Sequence, residues 1–301
     1  MPARTPKLVS AAAAVAAVGD SDHVAIGGIW SQNSPAALVR ALIRSGPRQL
    51  TVSAGPAAGF AVDLLIAAGL VRRAMLPNVT YEHLGMAPAF RAAVESGEVE
   101  LVECDEPSLV GGYRAAAAGL PSQTVASLVG TDLAAARPDF ARRTVAGREL
   151  LEVPAVAPDV VLLHAQEADP FGNLRQAGTV FADKVMAKAA KRAVVASADR
   201  VVSNEEIRRD PGRTTVPGYL VGAVVELPLG AHPCASHGEY VADEEHLRGY
   251  LAAQAGDAPA GARDEWFRTF VEPASHDDYL LACGGPTALA ERLGEGDRWP
   301  R

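Results

Sequence analysis

Short aliphatic and β-branched runs, apolar at nearly every position, alternate along this chain with longer alanine-rich runs, and Gly or Pro stands at almost every junction. A strand without a polar face must be covered on both sides, and parallel strands joined by crossover helices achieve this. The expected architecture is therefore α/β, a mainly parallel open sheet with helices on both faces. His23 to Ile29 reads as a strand ending in Gly27-Gly28, and Pro35 to Ser45 as a helix. Leu50 to Ala54 reads as a second strand, Gly55 to Gly59 as a loop and Val62 to Leu70 as a helix. Further strands are expected at Val71 to Leu76, Val99 to Val102, Val160 to His164, Ala193 to Ala196 and Leu220 to Glu226. Helices are expected at Pro88 to Glu95, Ser108 to Ala118 and around Lys184 to Lys191. Pro107 suits a first helical turn, and Gly119 with Pro121 suits a stop.

Residues 1–285 read as one domain with an irregular excursion near 137–158, a helical C-terminal section at Asp243 to Tyr250 and Glu265 to Phe270, and a mobile tail over 286–301. With 301 residues, 49% of them hydrophobic, a sizeable core is available and bulk disorder is excluded. The formal charge of −8 leaves no broad basic face for nucleic acid or an anionic membrane surface. Arg4 and Lys7 ahead of the apolar run Leu8 to Val18 imitate a signal peptide, but the run is mostly alanine and stops at Gly19-Asp20, as an N-terminal helix would. No apolar stretch is long enough to span a membrane. Cys104, Cys234 and Cys283 are odd in number and lack CxxC spacing, which argues against a disulfide framework or a cysteine zinc site and fits a reducing cytoplasm.

In a parallel sheet ligands bind where strands end and helices begin, and glycine there lets backbone N–H groups approach an anion. Gly27-Gly28 and Gly55 to Gly59 are two such turns. Neither is GxGxxG and no GxxxxGK[ST] exists, so a dinucleotide or P-loop site has little support, and either turn taken alone reads as a tight bend. His237, Glu239, Asp243, Glu244, Glu245 and His246 look metal-like by composition but lack ligand spacing, and read as a solvated helix face. Ser, His and Asp are too scattered to nominate a triad, and no GxSxG elbow is present. Cys104 sits between Glu103 and Asp105, which disfavours a thiolate.

Taken together, several segments resemble the alpha subunit of family I coenzyme A transferases. They are Val24-Ala25-Ile26-Gly27-Gly28-Ile29 with Pro35, Leu50 to Leu65, His164-Ala165-Gln166 with Gly172, Ser203-Asn204-Glu205-Glu206-Ile207-Arg208-Arg209-Asp210-Pro211, Gly230-Ala231-His232-Pro233, and His276-Asp277-Asp278-Tyr279-Leu280. The resemblance runs from about residue 8 to 284 and implies the NagB/RpiA/CoA-transferase-like fold. It also implies a heterotetramer with a partner beta subunit, acting on an acyl-CoA thioester and a small carboxylate, with no permanently bound cofactor and no metal. The family's nucleophilic glutamate lies in a Ser-Glu-Asn-Gly motif of the beta subunit, and that motif is absent here. Two positions depart from the pattern: Ile29 replaces the usual phenylalanine and Asn33 the usual glycine. The resemblance makes Gly27 and Gly28 oxyanion donors, with Ser53, Gly55 and Gly59 lining the site. Steroid-ring-opening hydrolases share this architecture, and for that chemistry Glu106, in Glu103-Cys104-Asp105-Glu106, is the candidate general base. Its competing role, shared with Asp105, is to cap the helix that follows. A non-catalytic regulatory subunit is the third reading. His232 reads as hydrogen-bonded in a subunit interface, and Glu205 and Glu206 as structural partners of Arg208 and Arg209 around a turn.

Overall fold

The apolar strands pair side by side, as their composition demands. A computed structural model describes residues 4–178 and 180–294. The strands are β1 (His23–Ile26), β2 (Leu50–Ala54), β3 (Val71–Met75), β4 (Glu100–Val102), β5 (Ser122–Val125), β6 (Ala141–Val145), β7 (Arg148–Pro154), β8 (Val160–Ala168), β9 (Leu174–Arg175), β10 (Ala193–Val201) and β11 (Ala223–Glu226). The helices are α1 (Ala11–Val15), α2 (Ala36–Ser45), α3 (Phe60–Ala67), α4 (Pro88–Glu95), α5 (Glu106–Ala117), α6 (Asp132–Ala135), α7 (Asp183–Ala189), α8 (Asn204–Arg209), α9 (Glu244–Gln254), α10 (Ala262–Phe270), α11 (His276–Ala282) and α12 (Pro286–Leu293).

The main sheet has the order β11-β10-β8-β1-β2-β3-β4, with every pair on that path parallel and β9 antiparallel beside β8. From β1 the chain winds outward through β2, β3 and β4, then crosses back to β8 and winds the other way. The order reverses between β1 and β8, and ligands in open α/β sheets bind beyond the carboxyl ends of strands at such a reversal. Side chains alternate across the sheet. Val24, Ile26, Val160 and Leu162 enter a core shared with α1, α2, α3 and the C-terminal helices. Ala25, Val161 and Leu163 enter a second core with α5 and α7 on the opposite face. Both faces are covered, as expected.

The region read as irregular near 137–158 is regular. It contains β6 and β7, which join β5 in an antiparallel sheet of order β5-β7-β6. Its Arg142-Arg143-Thr144 stretch is exposed, so β6 has no apolar alternation to announce it. The described part of the segment expected to be a mobile tail is helical. Pro286 opens α12, whose Leu289 and Leu293, four residues apart, both bury into the first core, and residues 295–301 lie outside the described residues. The face of α9 expected to be solvated is so only in part: Glu244 and Glu245 are exposed, but Asp243 and His246 are not. Asp243 caps α9 from a buried position, where His232 Nε2 (3.0 Å) and Arg292 Nη2 (2.6 Å) meet its carboxylate. Burial alone would raise Asp243, but these bonds and the His246 N–H outweigh it and hold the carboxyl below the usual range. His246 packs edge-on against Trp266 and Phe270, and burial pushes it down to about 3. Among the described residues no group of three or more His, Cys, Asp or Glu side chains is placed to hold a metal ion. No helix there is long and apolar enough to cross a membrane.

One buried carboxylate ties the C-terminal helices to the sheet. Asp63 of α3 accepts from the Phe90 N–H (2.7 Å), Tyr250 Oη (2.9 Å) and Tyr81 Oη (3.2 Å). Burial pushes its pKa up to about 6, and the three donors pull the other way without cancelling it. A carboxyl raised above its unfolded value binds more protons when folded, so its share of stability is fully present below about pH 4 and is lost as pH rises toward 6. The Asp63→Asn variant cannot ionise there. Relative to wild type it should therefore gain on the order of 1–2 kcal/mol between pH 4 and pH 6.5, as read from denaturant melts at each pH; parallel pH profiles would refute this role.

Candidate functional site

The loops at the carboxyl ends of β1 and β8 meet where the sheet order reverses. The Gly27 N–H continues the parallel ladder to the Leu162 carbonyl (2.8 Å), and the Gly28 N–H donates to Asp183 Oδ1 (3.1 Å). Asp183 is the first residue of α7 and is buried, and its other oxygen accepts from Gln176 Nε2 (2.6 Å), which also donates to the His164 carbonyl (3.0 Å). Burial pushes the Asp183 carboxyl up to about 6, against the pull of these donors. Gly28 has φ +80°, and a Cβ there would lie 2.5 Å from the Gln32 carbonyl oxygen, so no other residue fits. These bonds correct the sequence-based role of the pair. Both N–H groups are already committed inside the chain, and what the turn needs from glycine is space and a left-handed backbone.

The loop beyond the turn is anchored by Asn33, whose φ of +50° is the conformation a glycine would supply. A left-handed backbone at this position therefore carries a side chain. Asn33 Nδ2 donates to the Ala177 carbonyl (2.9 Å), and its Oδ1 accepts from Gln166 Nε2 (2.8 Å) and the His237 N–H (3.3 Å). Gln166 in turn accepts from the Ala177 N–H and donates to Ser236 Oγ.

The other predicted residues are placed less directly. Ser53 does not line a cavity. It is fully buried on the α5 face, 2.7 Å from Tyr113 Oη and 2.6 Å from His23 Nε2, and burial pushes His23 down to about 4 so that its neutral ring can accept. Gly55 and Gly59 bracket the loop after β2; Gly59 precedes α3, where a Cβ would meet the Trp30 carbonyl oxygen at 2.4 Å. Asp105, not Glu106, caps α5, exchanging bonds with Ser108 in a capping box. Glu106 is the exposed first residue of that helix, beyond the carboxyl end of β4 and three strands from β1. Cys104 is buried, and burial before any neighbouring charge pushes its thiol up to about 12.

The structure does assemble one Ser-His-Asp set, which the spacing along the chain gave no sign of. His164 on β8 meets Ser197 Oγ (2.9 Å) and Asp199 Oδ2 (3.1 Å) on β10, brought level by the strand register. Ser236 Oγ (2.6 Å), Tyr240 Oη (3.3 Å) and the Gly230 N–H (3.2 Å) complete the shell of Asp199. Burial would raise Asp199, but the charge and hydrogen bond of His164 hold it below the usual range. His164 and Ser197 are fully buried, so the set is a lock under the GAHP loop and not a nucleophile. His232 of that loop is likewise internal: its ring bonds Tyr279 Oη (2.6 Å) and Asp243, which corrects the interface reading. The acidic-basic segment forms α8 with Ser203 as its cap, and Arg175 Nη2 closes its far end on the carbonyls of Glu206, Ile207 and Asp210.

Two cavities open at this edge on either side of His237. The larger, about 850 Å³, is lined by Gln166, Glu167, Arg175, Gln176, Arg200 and Thr215 among others. Its charges form a chain, Arg175 to Glu167 (3.2 Å), Glu167 to Arg200 (2.8 Å) and Arg200 to Glu239 (2.7 Å). The smaller, about 250 Å³, lies against Ser31, Gln32, Tyr81 and His83. Both have polar walls; Gly27 and Gly28 are buried behind Gln32 and Gln176 and line neither, so the turn supports this edge from within. Sequence reasoning located the turn but missed Asp183 and Gln176, whose relation to Gly28 exists only after the β1 to β8 crossover.

The family model for coenzyme A transferase matches residues 8–227. The alpha subunit of glutaconate CoA-transferase of Acidaminococcus fermentans is 32% identical over 89% of this chain and 88% of its own length. The cholesterol ring-cleaving hydrolase IpdA subunit of Rhodococcus jostii is 32% identical over 94% of this chain and 97% of its own. An uncharacterized protein of Archaeoglobus fulgidus is 35% identical over 90% of this chain, which spans only 61% of that longer protein. The crystal structure of glutaconate coenzyme A-transferase from A. fermentans superposes with a TM-score of 0.89, covering 97% of this chain and 96% of that one at 30% identity. By sequence and by fold, the chain belongs to the coenzyme A transferase family, as its glycine-turn segments led us to expect.

Proposed function

We propose that the chain is the alpha subunit of a heteromeric CoA transferase that moves CoA between an acyl-CoA thioester and a carboxylate, in a heterotetramer with a partner beta subunit. The observation that carries this reading is the near full-length superposition on glutaconate CoA-transferase. In the proposed reaction the partner's glutamate attacks the thioester carbonyl and releases CoA thiolate, leaving an acyl anhydride. The thiolate then attacks the glutamyl carbonyl of that anhydride, releasing the acyl carboxylate and forming a glutamyl-CoA thioester. An incoming carboxylate repeats the exchange in reverse and leaves as the new acyl-CoA. Covalent catalysis divides one difficult exchange into easier ones.

This chain supplies the wall opposite that glutamate. Gly27 and Gly28 shape the edge, Asp183 and Gln176 fix the turn, and Asn33 with Gln166 holds the loop beyond it. Gly55 and Gly59 give the neighbouring loop its close approach to Trp30 and α7. With no Ser-Glu-Asn-Gly in the chain, the protein purified without its partner should show no CoA transfer, and activity should appear on co-expression with a second chain carrying that motif. Full transferase activity from the homogeneous chain would refute the assignment.

A second reading has its own support. The ring-cleaving hydrolase relative covers nearly the whole chain, and Glu106 is exposed at the carboxyl edge of β4 and relieved of capping by Asp105. On that reading Glu106 is the general base that activates water. Glu106→Gln separates the two. If it is a base for hydrolysis, CoA-ester cleavage by the assembled complex should fall about 10² to 10⁴-fold with thermal stability unchanged; if transfer is the activity, both rates should stay within a few-fold of wild type.

A further inference from the structure

Away from the cleft, α2 presents Arg40 and Arg44, one turn apart, to a cavity of about 500 Å³. Its other walls include Ser10 ahead of α1, Leu227 beyond β11, and Ser275 and His276 at the start of α11. None of its lining residues borders either cavity at the sheet edge.

Arg40 is only 2% exposed. Its Nη1 donates to the His232 carbonyl (3.0 Å), and its guanidinium lies 3.5 Å from the centre of the Tyr279 ring. Its Nη2 is buried without a hydrogen-bond partner, and among the described residues no carboxylate is within ion-pairing distance of it. Arg44 is exposed; its Nη1 donates to the Val271 carbonyl (3.0 Å), and partial burial followed by the charge of Arg40 lowers its pKa. A buried cation without a counter-ion is costly, and stacking on an aromatic ring returns only part of that cost. Asp278, two residues beyond His276, does not supply the missing charge, because it is turned back to its own cap on Ser275.

The third element is His276. Its Nε2 donates to the Pro228 carbonyl (2.7 Å), while Nδ1 is buried with no partner. Burial, then the nearby Arg40, pushes the ring down to about 3, so Nδ1 offers a bare lone pair. Arg40, Arg44 and His276 all line the cavity, which therefore has two cationic side chains and one neutral ring in its walls. A carboxylate or sulfate satisfies the donors and leaves Nδ1 facing an oxygen lone pair. A phosphate that keeps one proton satisfies all three, its P–O oxygens accepting from Arg40 Nη2 and Arg44 and its P–OH donating to Nδ1.

We propose that this cavity binds a phosphate group, either of free phosphate or of a phosphate monoester, through Arg40, Arg44 and His276. Its ligand is independent of which reaction the sheet-edge cleft performs. The test is calorimetric titration of the full-length chain, purified with its accompanying subunit, with inorganic phosphate at pH 6.5 in chloride buffer. We expect one saturable site per copy of this chain, with sulfate several-fold weaker. Arg44→Gln, and His276→Gln, which keeps a donor toward Pro228 but removes Nδ1, should each weaken phosphate at least tenfold with melting temperatures near wild type; Arg40→Met is the stronger variant but risks the packing on Tyr279. Competition by CoA and not by dephospho-CoA would identify the 3′-phosphate of the coenzyme as the source, and competition by neither would identify free phosphate or a small ester, both in accord with the site. Absence of saturable binding in wild type, unchanged affinity in both glutamine variants, or sulfate binding as tightly as phosphate would overturn it.

Discussion

The parallel pairing of β1 with β8 is the interaction on which the rest of the structure depends. It sets Val24 beside Val160 and Ile26 beside Leu162, so two segments far apart in sequence become the centre of one sheet. Asp159 holds the near end by accepting the His23 N–H (2.9 Å), and the Gly27 N–H holds the far end on Leu162. The polar groups around the glycine turn reach their places through that seam. Gly28 and Asn33 come from the β1 side, and Gln166, Gln176 and Asp183 from the β8 side. Were the register to slip by one residue, the two cores would exchange faces, and Leu163 would turn from the α5 and α7 layer toward the opposite helices.

The strands and most helices are legible in the sequence because burial on both faces leaves an uninterrupted apolar run, and Gly and Pro mark where it ends. Leu50–Ala54 and Pro88–Glu95 can be read to the residue. What escapes is whatever lacks a local signature. Strand β6 carries arginines on an exposed hairpin, and α12 buries just two apolar side chains, Leu289 and Leu293. The site is half legible for the same reason. A glycine pair after a strand is visible in sequence, but whether its N–H groups are free depends on a carboxylate 155 residues later. Ser53 is misplaced by sequence reasoning because side-chain direction along β2 decides between cleft and core, and its apolar neighbours do not reveal which face carries Tyr113 and His23. The acidic run around Asp243 misleads because composition does not show that Arg292 and His232 neutralise it from other elements.

A rigid polar framework of this kind explains how one scaffold serves relatives with different reactions. The buried set around Asp199 and the chain from Arg175 to Glu239 keep the sheet edge in shape without contributing a reactive group of their own. Chemistry then rests on what is presented to the cleft from outside the framework, by a partner chain or by an exposed side chain at the rim. Fold alone cannot choose between those, because function resides in sites placed on a scaffold.

Asn33 has a consequence for how such chains are found. It adopts a left-handed backbone angle of the kind that favours glycine and uses its amide to tie the loop to Gln166 and Ala177. What the bend requires at that position is a dihedral angle, which asparagine reaches as well as glycine. A pattern written as literal glycine spacing passes over chains in which asparagine occupies the bend. Describing the position by the left-handed region it must occupy would retain them.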